Sequence, residues 1–218
     1  MDKDWLFATD EYICDLRTFV VLVKDKKIFC TKRETEMNMH LYFETERLIV
    51  RQYVLSDVDE LFQVMSDIRV HTYTKDKGNP WSRQRTEEYI KYMINKDFKT
   101  LDCFYGAVIE KNTNRLIGLC GLNPYKANEP EIEWKMGVPY WNKGYATELG
   151  KQIIKESFAA TGIKGIYGMA QPENIASRKV LVKIGMKYLG NQIFRNHEDS
   201  FYYIANLKQC SHANICVD

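Results

Sequence analysis

Residues 139–148 read Pro139-Tyr140-Trp141-Asn142-Lys143-Gly144-Tyr145-Ala146-Thr147-Glu148. Before them, Glu131 to Val138 has the alternation of a strand. After them, Ala146, Leu149, Ile153 and Phe158 recur at helical spacing, predicting an amphipathic helix from about Gly144 to Ala160. The start of a helix leaves backbone N–H groups unpaired, and the macrodipole adds partial positive charge there. Such a terminus binds phosphate without needing side-chain charge. Gly144 lets backbone approach a ligand closely, Ala146 is small for the same reason, and Lys143 adds a flexible cation. Taken alone, the glycine also fits an ordinary strand-to-helix turn. Neither G-x-x-x-x-G-K-[ST] nor G-x-G-x-x-G occurs, so the segment is not a Walker loop or a dinucleotide fingerprint.

Working outward, Asn174 is a good N-cap, Ala176, Val180, Leu181 and Ile184 form a helical stripe, and Gly185 is a good C-cap. Lys164 to Ala170, Met186 to Ile193 and Ser200 to Leu207 read as strands. Upstream, Arg47 to Tyr53 reads as a strand, and Ser56-x-x-Asp59 as a capping box before Val58, Leu61, Phe62 and Met65. A second helix is predicted from Ser82 to Phe98, with Tyr89, Ile90 and Met93 on one face. Strands follow at Cys103 to Glu110 and Arg115 to Leu122, with Asn128 and Pro130 as breakers before Glu131. The order from residue 42 is β-α-α-β-β-β-α-β-α-β-β, an α/β (α+β) domain over 42–207. Residues 1–41 form an extension with a hairpin signal, Thr18 to Val23 and Ile28 to Thr31 about a polar turn from Lys24 to Lys27. Residues 208–218 are a short polar tail.

Glu131 to Glu148 resembles the coenzyme-binding motif of the GNAT (Gcn5-related) N-acetyltransferases, in the branch that includes ribosomal-protein N-terminal acetyltransferases. Asn174-Ile175-Ala176-Ser177 followed by Lys183-Ile184-Gly185-Met186 is similar to that family's next motif, and Glu44-Thr45-Glu46-Arg47-Leu48 resembles its opening strand. The resemblance spans about residues 42–207 and implies a mixed, strongly twisted sheet in which two strands splay apart to admit acetyl-CoA. Pyrophosphate would rest on the amides of Asn142, Lys143, Gly144, Tyr145, Ala146 and Thr147. Pantetheine would pair with the backbone of Met136, Gly137 and Val138 like an added strand, with Asn174 beside it.

The implied reaction is direct acetyl transfer from thioester to amine. The amine must lose a proton to attack, so a base or a water relay is needed. The tetrahedral oxyanion needs a donor, which a backbone N–H at the splayed strand would supply. Glu131 aligns with the family branch's acidic residue and is the candidate base, with Glu133 on the same face in reserve. Both also fit solvated edge carboxylates. Many family members carry a tyrosine as acid where this chain has Leu181, which cannot donate. Ser177 is the alternative near the sulfur, or else a helical serine bonded to main chain, and solvent is a third source of the proton. Asn142 and Trp141 replace residues common in the family. The loop from His71 to Trp81 and the region of Tyr125 would build the acceptor pocket, with Trp81 as its wall or as a buried loop anchor. His71 and His197 lack an identified partner.

Composition bounds the rest. The chain has 218 residues, with 45% hydrophobic and 28% charged, as in an ordinary globular protein. Its 31 basic and 29 acidic residues nearly cancel, giving no general field for nucleic acid or an anionic membrane. No apolar run is long enough to span a bilayer and no signal core follows Met1-Asp2-Lys3-Asp4, which predicts a cytoplasmic protein. The 6 cysteines show no C-x-x-C spacing, so no metal site is expected. Cys103 and Cys120 read as small core residues rather than nucleophiles. The partners expected are a small-molecule or peptide amine, and a second copy in a homodimer through a sheet edge. The contrasting reading is a catalytically weak acyl-CoA sensor, motivated by Leu181 and Asn142.

Overall fold

The computed structural model describes residues 18–23, 26–31, 40–74, 76, 78–96, 103–160, 162–194 and 197–207. The chain divides into two compact units, Met1–Met39 and His40–Asp218. In the first, β1 (Thr18–Val23) and β2 (Lys26–Thr31) pair antiparallel, from Thr18 opposite Thr31 to Val23 opposite Lys26. The second strand begins two residues earlier than the Lys24–Lys27 turn allows, because Lys26 and Lys27 join the ladder.

In the second unit the strands are β3 (Leu41–Glu44), β4 (Leu48–Arg51), β5 (Phe104–Glu110), β6 (Arg115–Lys126), β7 (Glu129–Met136), β8 (Gly165–Ala170), β9 (Lys187–Phe194) and β10 (His197–Ala205). They form one 8-stranded sheet in the order β3-β4-β5-β6-β7-β8-β10-β9. Every neighbouring pair is antiparallel except β7 and β8. The helices are α1 (Val58–Met65), α2 (Arg83–Ile94), α3 (Tyr145–Ala160) and α4 (Ile175–Lys183).

The two sheet faces carry separate cores. Leu149, Ile153 and Ile154 of α3 and Leu181 of α4 pack with Val108, Ile117, Ile132 and Ile166. Leu61, Val64 and Met65 of α1 and Ile90 and Met93 of α2 pack with Ala107, Ile109 and Leu119. Both faces of the central strands are buried, which is why β5 and β6 read as continuous apolar runs rather than alternating ones.

Several local expectations change. The start of α1 is organised by Asp57 rather than by Ser56 and Asp59. Asp57 accepts from the Val54 N–H at 2.9 Å and holds Arg51 through two bonds of 2.7 Å. An extra strand, β3, precedes β4, which is confined to Leu48–Arg51. Helix α2 ends at Ile94, and the expected end at Phe98 falls outside the described residues. Pro130 lies inside β7 instead of breaking the chain, and the reversal is made by Asn128 at φ 60°. Asn and Gly are the residues that reach that left-handed region most readily.

Candidate active site

Strands β7 and β8 touch at only two register pairs, Glu131 with Tyr167 and Ile132 with Gly168. Beyond Ile132 and Gly168 the pairing stops, and β7 runs on to Met136 without its neighbour. On its other side β7 stays paired with β6 as far as Met136 opposite Gly118. The Gly137 N–H donates to Ile117 O at 2.8 Å. By strand alternation, the main-chain groups of Trp134 and Met136 therefore point away from β6 and into the gap. Of the expected pantetheine contacts, Met136 offers its N–H, since its carbonyl already accepts from Trp141 Nε1 at 2.7 Å. Gly137 is turned toward β6, and Val138 opens the 3-10 turn Val138–Tyr140. Trp134 is not among the contacts expected from the sequence, and only the sheet register places its main chain on this edge.

The gap leads to the N-terminus of α3. The first helical bond runs from Glu148 N–H to Gly144 O at 3.0 Å, leaving the amides of Tyr145, Ala146 and Thr147 ahead of it. Asn142 and Gly144 both have positive φ, 59° and 81°. The turn thus needs left-handed backbone twice, and Asn142 supplies it where the resembled pattern has glycine. A Cβ on Gly144 would meet only Arg47 Nη2, at 3.5 Å, so glycine is required here by conformation rather than by crowding from the protein. Lys143 is exposed, with its ammonium 5.4 Å from the centre of the Tyr140 ring.

This terminus is anchored from the turn between β3 and β4. Glu148 accepts from Thr45 Oγ1 at 2.5 Å, from the Arg47 N–H at 2.9 Å and from Arg47 Nε at 2.7 Å. Arg47 also donates to Lys143 O at 3.0 Å and lies 4.4 Å over the Tyr145 ring. Burial pushes the Glu148 carboxyl up, but the bonds from Thr45 and Arg47 outweigh it and hold the group below its ordinary value. The Tyr145 hydroxyl turns inward to Glu110, which also accepts from Thr113 at 2.7 Å. Those two bonds, Thr113 first, hold Glu110 low as well. Tyr145 can therefore offer the site only its amide. The two sequence motifs, Glu44 to Leu48 and Gly144 to Glu148, are two halves of one cross-link.

Glu131 lies at the closed end of the gap. It is the register partner of Asn123 on β6 and of Tyr167 on β8, on the sheet face that carries α1 and α2. Its Oε2 is a buried atom. Glu133 shares that face, accepting from Asn123 Nδ2 at 2.7 Å and lying 3.2 Å from Lys135 Nζ. Further along, Tyr105 lies across Gly121, where a Cβ would meet its ring at 2.9 Å. Burial first, and then Glu133, pushes the Tyr105 hydroxyl up.

On α4, Asn174 Oδ1 caps the helix by accepting from Ser177 N at 3.1 Å, which leaves its amide nitrogen for other contacts. Ser177 is half-buried in the first turn, and among the described residues its hydroxyl makes no bond to main chain. Trp81 is an anchor of its loop: it is buried, donates its indole N–H to Asp76 at 3.1 Å, and bonds Met65 O through its main chain at 2.9 Å. His71 is buried too, with Nε2 2.7 Å from Met65 O and Nδ1 3.4 Å from Asp76. His197 Nδ1 lies 3.1 Å from Asp199. Cys120 is buried, and burial pushes its thiol up, away from nucleophile chemistry. Among the described residues no group of three or more His, Cys, Asp or Glu is placed to hold a metal ion, and no helix is long and apolar enough to cross a membrane.

A family model described as "Acetyltransferase (GNAT) domain" matches residues 47–187. The uncharacterized N-acetyltransferase YnaD of Bacillus subtilis is 31% identical over 169 residues, 75% of this chain and 95% of that protein. The structure of an acetyltransferase (GNAT family) from Bacillus anthracis superposes with a TM-score of 0.66 at 25% identity, over 75% of this chain and 97% of that one. RimL, a ribosomal L7/L12 alpha-N-protein acetyltransferase in complex with coenzyme A, shares the fold at a TM-score of 0.63 and 14% identity, over 76% and 98% of the two chains.

Proposed function

The chain belongs to the GNAT acetyltransferase family, and from that premise we propose that it moves an acetyl group from acetyl-CoA directly to an amine, either a protein N-terminus or a small molecule. The observation that carries this reading is the gap between β7 and β8, which runs from Glu131 to the open amides at the start of α3. A strand-shaped pantetheine arm fits its unpaired β7 edge, and a pyrophosphate fits the helix terminus beside Arg47 and Lys143. RimL, which shares the fold, was solved in complex with coenzyme A, which supports the choice of coenzyme.

In this reading Glu131 takes the proton of the attacking amine. The nitrogen adds to the thioester carbonyl, and the oxyanion is stabilised by an N–H of the gap edge, at Trp134 or Met136. The Asn174 amide nitrogen steadies the pantetheine arm. Ser177, at the first turn of α4, offers a hydroxyl to the sulfur side. The experiment is calorimetric titration with acetyl-CoA, with dephospho-CoA and ATP as controls, followed by thiol release with a panel of amines. Saturable binding and amine-dependent thiol release support the reading. Binding without thiol release favours the acyl-CoA sensor, and no binding refutes both.

A further inference from the structure

On the reading above, acetyl transfer leaves coenzyme A as a thiolate that must gain a proton. The helical position where the resembled pattern places a phenol is Leu181, which is 1% exposed. A Cβ on Gly168 would lie 2.4 Å from its Cδ2, so that side of β8 is closed by hydrocarbon. The opposite side carries a phenol that the sequence reading did not consider. Tyr167 is the register partner of Glu131, at the first of the two pairs before the strands part. Gly168 faces Leu181 and α4, so Tyr167 projects from the same face as Glu131.

Its hydroxyl is held in a defined way. Lys126 Nζ donates to the Tyr167 oxygen at 3.0 Å, and the same ammonium lies 4.5 Å from the centre of its ring. Tyr125 packs at 5.0 Å on the ring and Tyr203 at 4.7 Å. An ammonium can only donate, so this bond uses an oxygen lone pair and leaves the phenolic proton available for another acceptor. It also sets a positive charge beside the oxygen, where charge develops if that proton departs.

We infer that Tyr167 donates the proton to the departing coenzyme A thiolate, with Lys126 as its positioning residue. The amine nitrogen bonds to the acetyl carbon and passes a proton to Glu131. As the tetrahedral adduct collapses, the C–S bond breaks and the Tyr167 proton goes to sulfur. The proton on Glu131 then returns to the phenolate, directly or through water, and both residues regain their starting states. The net change is thioester plus amine to amide plus thiol.

The test is Tyr167→Phe, which keeps the ring packing and removes only the hydroxyl. The expected result is a fall in kcat of about 100-fold, with KM and calorimetric Kd for acetyl-CoA unchanged within about twofold. The solvent deuterium isotope effect on kcat changes with it, which loss of packing alone does not predict. Tyr188→Phe, which deletes an exposed hydroxyl bonded to Asn191 at 2.7 Å on β9, retains kcat as the control. A Tyr167→Phe protein with kcat within threefold of wild type overturns the assignment. So does an equal fall in Tyr188→Phe, or a fall in Ser177→Ala with Tyr167→Phe intact. A wild-type protein that fails to bind acetyl-CoA or to release thiol refutes the transferase reading itself and this assignment with it.

Discussion

Replacing Glu148 with Gln should uncouple the start of α3 from the turn between β3 and β4. The carboxylate accepts from Thr45 Oγ1, the Arg47 N–H and Arg47 Nε, and pairs with Arg47 Nη2 at 2.6 Å. Its side chain is 19% exposed and that of Arg47 is 41% exposed, so solvent screens part of the ion pair. The glutamine keeps the shape and one acceptor oxygen but loses the charge. With hydrogen bonds to charged groups worth about 1.5–3 kcal/mol, a net loss of about 2 kcal/mol is expected. For a unit of this size that corresponds to a melting temperature lower by about 6 °C. The sign with pH follows from the lowered carboxyl. Folding holds Glu148 below its ordinary value of 4.5, so its contribution is complete above about that pH and is lost as pH falls through the folded value. Urea unfolding of wild type and Glu148→Gln at pH 7 and at pH 3 measures this. The gap between the two proteins should be largest at pH 7 and narrow in acid. A difference under about 0.5 kcal/mol at pH 7, or one that does not shrink in acid, refutes the cross-link as a source of stability.

Other substitutions probe the site directly. Glu131→Gln should lower kcat by about 100-fold or more while calorimetry shows acetyl-CoA binding intact; unchanged turnover across pH removes Glu131 as the base. Gly144→Glu should abolish acetyl-CoA binding, because it forces a side chain onto backbone at φ 81° and sets a carboxylate at the anion-binding terminus; normal binding means that the pyrophosphate lies elsewhere. Leu181→Tyr should not raise turnover and should cost about 1–3 kcal/mol in urea unfolding, since Leu181 is packed on the bare backbone of Gly168; faster transfer at full stability shows that the α4 side is open after all.

Elements set by local pattern were legible in the sequence. Asn174 caps α4, and Gly185 follows it at φ 95°, as their side chains dictate. The start of α3 was legible because a turn, a glycine and an amphipathic stripe coincide there. Asp57 was not, because its work is done on Arg51 and Val54 outside the helix rather than on the helix amides. The link from Arg47 to Glu148 spans 101 residues, so no window contains it, although both ends stood in quoted motifs. Tyr167 was hidden for a similar reason. In sequence it is one aromatic in a short strand, and only a parallel pairing with Glu131 gives it a place beside the gap. Trp81, by contrast, fits its reading as a loop anchor, since a buried indole needs a partner for its N–H and Asp76 provides one.

The meeting of β7 and β8 at two register pairs also bears on how the domain opens and closes. A sheet normally passes cooperativity sideways through its ladder, and here the ladder is thinnest near its middle. Strands β8, β10 and β9 form one leaf, and β3 to β7 form the other. The two leaves are candidates for separate units of native-state exchange. Amides such as those of Trp134 and Met136, central in the sheet, should exchange with deuterium as fast as an edge. A ligand laid along the β7 edge would act as a removable strand, protecting those amides and adding about 2.7 kcal/mol to the unfolding free energy at a hundredfold excess over its Kd.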